Sequence, residues 1–404
     1  MEWTPTRAAG LARLAEFLPY AGRAYADRRN LDLGPADRSN VSALSPWLRR
    51  RLITEEEVIA AVLARHSAAA AEKFIQEVAW RTYWKGWLEL RPGTLERFNA
   101  ERIALKAALE RDRGLAARFA RATDGATGIA CFDAWVEELR SLGWIHNHAR
   151  MWFASVWIFT LGLPWQLGAD FFYKHLLDAD PASNTLSWRW VAGLHTQGKH
   201  YLARAENIAR NTAGRFAPYG QLNEAALPLV EAEPPLPAAP LAAAQCHDGG
   251  PCALLLTEED LHPESWDLAG EVAAIAILPT ASVALPASPA AQFSAGALDD
   301  AAARAEAHFG VHCTAVAASD LPAWLAARGL STLVTAEAPT GLIRWQLNDL
   351  AVRLAAGGAR LIQQRRPWDD LLWPRATAGF FKLKTSLPAV IAQRVLDPAQ
   401  PRLL

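Results

Sequence analysis

The feature that most constrains the fold is a change of hydrophobic pattern about halfway along the chain. Residues 1–222 carry apolar residues at helical spacing and no alternating strand pattern of any length. From residue 251 onward, short apolar runs alternate with helical patterns, which is typical of a parallel sheet flanked by helices. Since 404 residues also exceed the usual domain size of about 100–200 residues, we predict a multidomain protein that joins an all-α domain to an α/β domain.

The boundaries follow from this pattern and from one low-complexity stretch. Residues 223–250 are rich in Pro and Ala and predict a semi-rigid linker. The expected regions are a helical domain over 1–222, the linker over 223–250 and an α/β domain over 251–404. The predicted helices are 55–66, 69–90, 132–142, 146–161, 298–309, 321–328 and 342–355, and the predicted strands are 253–256, 272–278, 314–317, 332–335 and 360–363.

Charge is distributed unevenly between the two halves. Residues 1–222 carry 29 Lys and Arg against 23 Asp and Glu, a net charge of +6, whereas the remainder carries 12 against 19, a net charge of −7. A basic first half permits a polyanionic partner, and DNA is the leading candidate. The arginine run at 49–51 fits either a phosphate-contacting patch or a solvated helix end.

Cysteine usage and apolar segments exclude several classes of site. The four cysteines are scattered and match no zinc or iron–sulfur spacing, so we predict no metal site and expect reduced thiols in the cytoplasm. No apolar run reaches the length of a membrane span, and the first residues lack the apolar core of a signal peptide. No G-x-G-x-x-G or P-loop motif follows the first predicted strand, which disfavours a standard nucleotide site.

Three polar clusters in the helical half carry the candidate chemistry. The first, residues 42–48 (SALSPWL), places hydroxyls before a Pro-initiated helix, which makes either an anion cradle or an ordinary helix cap. In the second, Glu77, Trp80 and Arg81 lie on neighbouring turns of one helix. This face either contacts a ligand or is a charged face exposed to solvent.

The third cluster is the longest. It comprises residues 143–151 (GWIHNHARM), Trp165 and residues 177–190 (LDADPASNTLSWRW). Charged groups in so apolar a neighbourhood have to be paired or bound to a polar ligand, and we expect an ion pair between Arg150 and Asp178. Of 17 Trp residues, 12 precede residue 191, which suggests a flat aromatic ligand or an electron path, although core packing accounts for most of them individually.

These clusters resemble motifs of the FAD-binding domain of DNA photolyases and cryptochromes, and they follow one another in the same order as in that family. The shared motifs are the S-x-L-S-P segment, the E-x-x-W-R helix, the G-W-x-H-N-x-x-R-M helix and the D-x-D-x-x-x-N-x-x-x-W-x-W segment. The resemblance covers residues 25–215 and implies an all-α, photolyase-type FAD-binding domain.

The resemblance implies a set of cofactor contacts. The residues that it assigns to FAD binding are Ser42, Leu44, Ser45, Asn147, Arg150, Asp178, Asp180 and Asn184. The three residues of the S-x-L-S-P segment would hold the diphosphate, and Arg150 and Asp178 would form a pair beside the flavin ring. Asn184 would face flavin N5, where photolyases usually carry Asn, plant cryptochromes Asp and insect cryptochromes Cys. The asparagine therefore favours repair.

The resemblance also implies a substrate pocket and an electron path. The residues that match the lining of the cyclobutane-dimer pocket are Glu77, Trp80, Asn147, Met151 and Trp190. A base flipped out of the duplex needs stacking faces and polar contacts at its edge, which these residue types provide. Trp188 and Trp165 match the first two members of the Trp chain that photoreduces the flavin. The expected catalytic residues are Glu77, Asn184, Trp188 and Trp165.

The sequence departs from the family pattern in three ways. No Trp lies near residues 112–122, where a third member of the chain is expected, and Trp157 or another ring could substitute. His148 occupies a position where many repair enzymes carry Arg. The Rossmann-like α/β antenna domain, which the family places first, here follows the FAD domain. This order indicates a circular permutation or else an unrelated α/β appendage, and it leaves room for a second antenna chromophore of unidentified nature.

The expected function is that of a deoxyribodipyrimidine photolyase, a lyase in which photoexcited reduced FAD transfers an electron to a cyclobutane pyrimidine dimer in DNA. One alternative is a cryptochrome-like blue-light photosensor without repair activity, which the missing third Trp and the domain order favour. Another is a flavoprotein that uses FAD structurally. The lesion type, the antenna chromophore and the oligomeric state are left open by the sequence.

Overall fold

The chain folds into two compact units, each assembled from segments that are distant in sequence. The computed structural model describes residues 3–233, 236–279 and 288–396, so Pro234 and Pro235 of the expected linker lie outside the described residues. The sheet unit comprises Met1–Pro19, Leu44–Leu90 and Ala238–Leu404, and the helical unit comprises Tyr20–Ala43 and Arg91–Pro237. The helical half predicted from the sequence is therefore divided between the two units, because residues 44–90 pack with the C-terminal part of the chain.

Helices account for most of the described residues. In chain order they are α1 (Arg7–Phe17), α2 (Arg23–Arg28), α3 (Ser45–Arg49), α4 (Glu55–Leu63), α5 (Ala68–Glu89), α6 (Gly93–Leu109), α7 (Arg113–Thr123), α8 (Ala130–Leu142), α9 (Asn147–Ser155), α10 (Trp165–His175), α11 (Pro181–Ala192), α12 (Ala205–Asn211), α13 (Pro289–Phe309), α14 (Leu321–Ala326), α15 (Leu342–Ala356), α16 (Pro367–Leu372), α17 (Phe380–Lys384) and α18 (Leu387–Arg394). Within the described ranges, none of them combines the length and apolar character that crossing a bilayer requires.

A five-stranded parallel sheet forms the core of the sheet unit. Its strands are β1 (Cys252–Leu256), β2 (Val272–Ile277), β3 (Cys313–Ala315), β4 (Thr332–Ala336) and β5 (Arg360–Gln364), in the spatial order β3-β2-β1-β4-β5. Leu254 of β1 pairs with Ile275 on one side and with Val334 on the other. Every residue of β1 and β4 is buried, as expected for central strands covered on both faces. The predicted combination of an all-α region with an α/β region is confirmed.

Local capping signals set several helix boundaries. Thr54 and Glu57 form the capping box anticipated at the start of α4, in which each side chain accepts from the other residue's backbone N–H. The predicted helix over 146–161 divides into α9 and a π-helical turn, Val156–Thr160, with His146 as the N-cap of α9. Helix α13 begins at Pro289, nine residues before the predicted start at 298, because its first turns are rich in Ala and show little apolar periodicity.

Helix α5 packs against the C-terminal part of the sheet unit. Its Thr82 accepts a hydrogen bond from Trp368 Nε1 at 2.9 Å, and its Tyr83 hydroxyl donates to the carbonyl of Ala378 at 2.9 Å. Thr82 and Tyr83 are fully buried. One face of α5 is therefore covered by residues 368–380, which lie almost 300 positions later in the chain.

The arginine run at 49–51 is buried in the sheet unit, which corrects both expectations for it. Arg49 binds the carboxylate of Glu259 through two nitrogens, at 2.6 and 2.7 Å. Arg51 Nη2 donates to Asp369 at 2.8 Å. All three arginines are at most 3% exposed. They are neither a phosphate-binding patch nor a solvated helix end, and their partners could not be seen locally because these lie 210 and 318 residues away.

Arg51 is the centre of a buried ionic network. Besides Asp369, its guanidinium contacts Glu55 at 3.3 Å and Asp260 at 3.6 Å. Arg366 binds Asp260 through two nitrogens, at 2.5 and 2.7 Å. Burial dominates the electrostatics of Asp369 and raises its pKa to about 6, in spite of the adjacent Arg51. The network is held together by mutual pairing, since each charge would be strongly unfavourable alone.

We expect Asp369→Ala to destabilise the sheet unit by about 3 kcal/mol, because removing one partner leaves Arg51 buried with incomplete compensation. The free energy of unfolding in urea measures the effect. The matched control is Asp248→Ala, which breaks the exposed ion pair with Arg360 and should leave the unfolding midpoint nearly unchanged. Equal shifts in the two variants would show that the network contributes no more than a surface pair.

Candidate cofactor site

A close approach of α10 and α11 forms the centre of the candidate site in the helical unit. Gly168 of α10 lies against Trp188 of α11, and a Cβ atom at this glycine would lie 2.3 Å from Cη2 of the indole. Trp188 is 1% exposed and packs edge to face on Phe172 and Trp157, with centroids 5.1 and 6.1 Å apart. The absence of a side chain at Gly168 sets the depth at which Trp188 is buried.

Asn184 lies one turn before Trp188 on the same face of α11. Its Nδ2 donates a hydrogen bond of 2.7 Å to the carbonyl of Ala169, the residue that follows Gly168. Asn184 is 8% exposed, so this bond holds a buried amide at a defined position. The two helices therefore place Asn184 and Trp188 together.

The ion pair predicted between Arg150 and Asp178 lies just before the start of α11. Arg150 Nη1 lies 3.4 Å from Asp178 Oδ2, and Arg150 Nε donates to the carbonyl of Ile145 at 3.2 Å. Asp178 is buried, whereas about a fifth of the Arg150 side chain is exposed. This geometry confirms the predicted pair and anchors α9 to the start of α11.

Asp180 is the N-cap of α11. Its carboxylate accepts from the backbone N–H of Ala182 at 3.2 Å and from the hydroxyl of Ser183 at 2.7 Å. Ala179, between the two predicted acids, has φ of +36°, a left-handed conformation that is uncommon for a residue other than glycine. Ala43, in the other predicted FAD segment, has φ of +53°. Strained backbone of this kind tends to occur at ligand sites.

His146, the N-cap of α9, and His148, in its first turn, both contact other residues of this chain. His146 caps the helix through Nδ1, which accepts from the backbone N–H of His148 at 3.1 Å, and burial lowers the pKa of His146 to about 4. The ring of His148 stacks on Trp152 with centroids 4.0 Å apart. The ring nitrogens of His148 contact the Asn30 carbonyl and the Tyr201 hydroxyl at 3.0 and 3.2 Å. Where many repair enzymes carry Arg, this chain has a ring held by internal contacts.

The remaining predicted residues of the helical unit lie at its surface or against other aromatic rings. Asn147 is exposed at the first position of α9, and Met151 and Ser42 are half-buried. Trp190 is half-buried and stacks on Tyr201, with centroids 5.9 Å apart.

Trp165, the predicted second member of the electron path, begins α10. Its ring stacks on Phe98 at 5.3 Å, and the guanidinium of Arg189 lies 5.8 Å from its centroid. Arg189 is in turn paired with Glu231, at 2.8 Å for one of two hydrogen bonds. The expected linker thus contributes Glu231 to the surroundings of Trp165.

Four predicted residues belong to the sheet unit. Leu44 is buried and Ser45 begins α3. Glu77 and Trp80 are half-buried on α5, and Trp80 stacks on Phe380. The structure therefore joins Arg150 with Asp178 and Asn184 with Trp188 in the helical unit, whereas these four residues lie on other elements.

The residues present fit a bound FAD. In the helical unit, Trp188 Nε1 is buried without a hydrogen-bond partner among the described residues. Buried donors are usually paired, so this N–H can accommodate a polar ligand group. Arg150, beside Asp178, supplies a cation, and Asn184 and Trp188 supply an amide and an indole on one face of α11, which are groups that a planar polar ring can contact.

Sequence reasoning missed Gly168 and Phe119, and it named Trp157 as a ring that could substitute for the third Trp. Gly168 interrupts an otherwise good helical pattern, and an isolated glycine inside a helix is a signal of close packing. The ring centroid of Trp157 lies 6.1 Å from that of Trp188 and 5.9 Å from that of Phe119. Phe119 lies within the segment 112–122, where a third Trp was expected.

Comparison with known proteins identifies the region that contains this site. Residues 74–228 match the sequence family described as the FAD binding domain of DNA photolyase. A deoxyribodipyrimidine photo-lyase from Agrobacterium fabrum is 32% identical over 194 residues, which cover 47% of this chain and 39% of that protein. A cryptochrome DASH from Natronomonas pharaonis is 32% identical over 182 residues, covering 43% and 36% of the two chains.

Solved structures give matches of similar extent. A bacterial class III photolyase from Agrobacterium tumefaciens is 28% identical with a TM-score of 0.43, over 52% of this chain and 43% of that one. The chain spans about two fifths of the length of the curated relatives quoted above. The resemblance to photolyases and cryptochromes is confirmed for residues 74–228, which match the FAD binding domain of DNA photolyase.

We expect Gly168→Ala to disturb the site, because the added methyl group would force Trp188 away from α10. Overpacking of this kind typically costs about 1–3 kcal/mol, measured as the free energy of unfolding in urea. Gly357→Ala is the control, since its Cβ would meet only ordinary contacts at 3.5 Å or more. A Gly168→Ala variant as stable as the control would contradict the close approach.

The buried His146 predicts a pH dependence. Its pKa falls from an ordinary value of about 6.5 to about 4 in the folded state, so the unfolded chain binds more protons between these values. Stability should therefore decrease as the pH falls from about 6.5 to about 4. His146→Asn keeps a capping acceptor and should lose part of this slope in urea titrations at several pH values. His308→Asn, at an exposed position of α13, is the control, and an unchanged slope in His146→Asn would refute the assignment.

Proposed function

We propose that this chain, whose residues 74–228 match the FAD binding domain of DNA photolyase, is a light-driven repair enzyme for cyclobutane pyrimidine dimers in DNA. The observation that carries the proposal is the joint placement of Asn184 and Trp188 at the contact of α10 and α11. The relatives named photo-lyase support it, and the family match over residues 74–228 includes both Asn184 and Trp188.

The residues on the flavin side have separate roles in this proposal. Arg150 and Asp178 would form the ion pair beside the flavin ring, with Asp178 and Asp180 as hydrogen-bond acceptors for the cofactor. Asn184 would hold its amide toward the flavin, with the bond to Ala169 restricting its rotation. Bound FAD would supply the light-driven electron, while the protein supplies binding, orientation and electrostatics.

The electron path is proposed to start at Trp188. Its indole is buried among aromatic rings that exclude water, with Trp157 among its neighbours at 6.1 Å. Trp165, whose neighbour Arg189 is paired with Glu231, is the proposed second member of the path. Trp157, a direct neighbour of Trp188, is the ring that could substitute for the missing third Trp.

The residues on the substrate side are proposed from the family resemblance. Glu77 would, as a carboxylic acid, donate a hydrogen bond to a carbonyl group of the dimer, and Trp80 and Trp190 would offer stacking faces. All three are half-buried, so each presents part of its surface to an incoming base. The resemblance assigns Asn147 and Met151 to substrate binding as well, and both lie on the same face of α9 as Arg150.

The parallel sheet supports a proposal for the C-terminal part of the chain. Its five strands have the order expected of a Rossmann-like α/β domain, with the connection reversing direction beside β1. This agrees with an antenna-like domain moved to the C-terminal side by circular permutation. A second chromophore there would add a near-ultraviolet absorption band. A cytoplasmic location is part of the same proposal.

Repair of a defined lesion tests the proposal. Purified, photoreduced protein with bound FAD should remove cyclobutane dimers from an irradiated oligonucleotide under blue light, measured by the recovery of pyrimidine absorbance. Glu77→Gln should lower the repaired fraction per photon several-fold, because the amide is a poorer stabiliser of developing negative charge. Glu16→Gln, a change at an exposed carboxylate, is the matched control.

The outcome also separates the alternative. If flavin absorbance is present but the dimers persist, repair is excluded. A blue-light-dependent change in oligomeric state without lesion affinity would then favour the photosensor, which the lack of a Trp between residues 112 and 122 first suggested. A colourless protein that does not take up flavin on reconstitution would exclude both.

A further inference from the structure

One segment of the sheet unit has a charge that contrasts with its surroundings. The part of the chain after residue 222 is acidic overall, yet residues 375–394 carry four basic residues and no acidic one. Helix α17 lies in this segment, with the sequence FFKLK. Two of these basic residues are paired within the fold, Lys384 with Glu72 and Arg394 with Glu56, whereas Arg375 and Lys382 are exposed.

Helix α17 is fixed beside one of the proposed substrate residues. Phe380 is 2% exposed and lies parallel to Trp80 on α5, with centroids 3.9 Å apart and planes inclined by 13°. The edge of Tyr83 meets both rings, at 5.4 Å from Trp80 and 5.7 Å from Phe380. Since the Tyr83 hydroxyl also donates to Ala378, the segment before α17 is tied to α5 at the same place.

The next residue of α17 is exposed. Phe381 is 72% exposed, and its ring centroid lies 6.0 Å from that of Phe380. Lys382, also exposed, reaches back to the Thr377 hydroxyl at 3.3 Å. Lys384 pairs with Glu72 on α5 at 2.7 Å. An isolated exposed apolar side chain needs no explanation, but an exposed aromatic ring next to an exposed cation, here Lys382, is the combination that nucleic-acid strands bind.

We propose that Phe381 and Lys382 extend the DNA-binding surface beyond Trp80, with Phe381 stacking on an unpaired base and Lys382 contacting a backbone phosphate. The choice of DNA as the partner rests on the proposed function. Phe380 acts as a positioning residue, because its stacked ring fixes the plane of Trp80. The surface lies outside residues 74–228, so the family match does not contain it.

A pair of matched variants tests the role of Phe381. Phe381→Ala should weaken binding of a single-stranded oligonucleotide with one cyclobutane dimer by about fivefold or more, since stacking on an aromatic ring contributes about 1–3 kcal/mol per base. Val352→Ala removes a side chain of equal exposure, 72%, from α15 of the same unit and should bind like the unaltered protein. Fluorescence anisotropy of the labelled oligonucleotide measures the affinity, and Phe381→Trp should retain it.

Salt dependence tests the phosphate contact independently. Lys382→Ala should reduce the slope of log affinity against log salt concentration by about 0.7, the value expected for one phosphate contact on a single strand. If Phe381→Ala and Lys382→Ala both bind like Val352→Ala, with an unchanged salt slope, the surface is not used. If the unaltered protein binds neither damaged nor undamaged DNA, the proposed repair function fails as well, so the two failures are distinguishable.

Discussion

The contact between α10 and α11 at Gly168 is the constraint on which the candidate site depends. Since the glycine has no side chain, the indole of Trp188 lies directly against the backbone of α10. The same approach brings Asn184 within hydrogen-bond distance of the next carbonyl, that of Ala169. Residues 178–180 lead into α11, so their position depends on the same contact. A single contact between two helices thus determines where the amide of Asn184 and the indole of Trp188 lie.

Much of the secondary structure could be predicted because its signals are local. The capping box at Thr54 and the buried apolar runs of β1 and β4 depend on residues that are close in sequence, and they are found where expected. The start of α13 was missed because Ala, Ser and Gly give little contrast between its faces. The short helices α16–α18 were not anticipated, since five to eight residues carry too little periodicity.

The candidate site shows the same limit. Arg150 and Asp178 were paired correctly, because both stand in contiguous motifs and a buried charge requires a partner. The arginine run at 49–51 was misjudged, because its carboxylate partners come from the loop after β1 and from α16. Charge in sequence shows that a group must be compensated. Only the tertiary fold shows whether water, a ligand or another part of the chain does so.

The position of α5 has a consequence for how this chain can be divided. The helix carries Glu77 and Trp80, yet its Thr82 and Tyr83 are buried by residues 368–380. A fragment that stopped at residue 222 would leave these two side chains in water and would remove the ring stacked on Trp80. Residues 1–222 therefore do not form an autonomous module here. Transferring them to another protein would require new residues that cover the face of α5 now packed against residues 368–380.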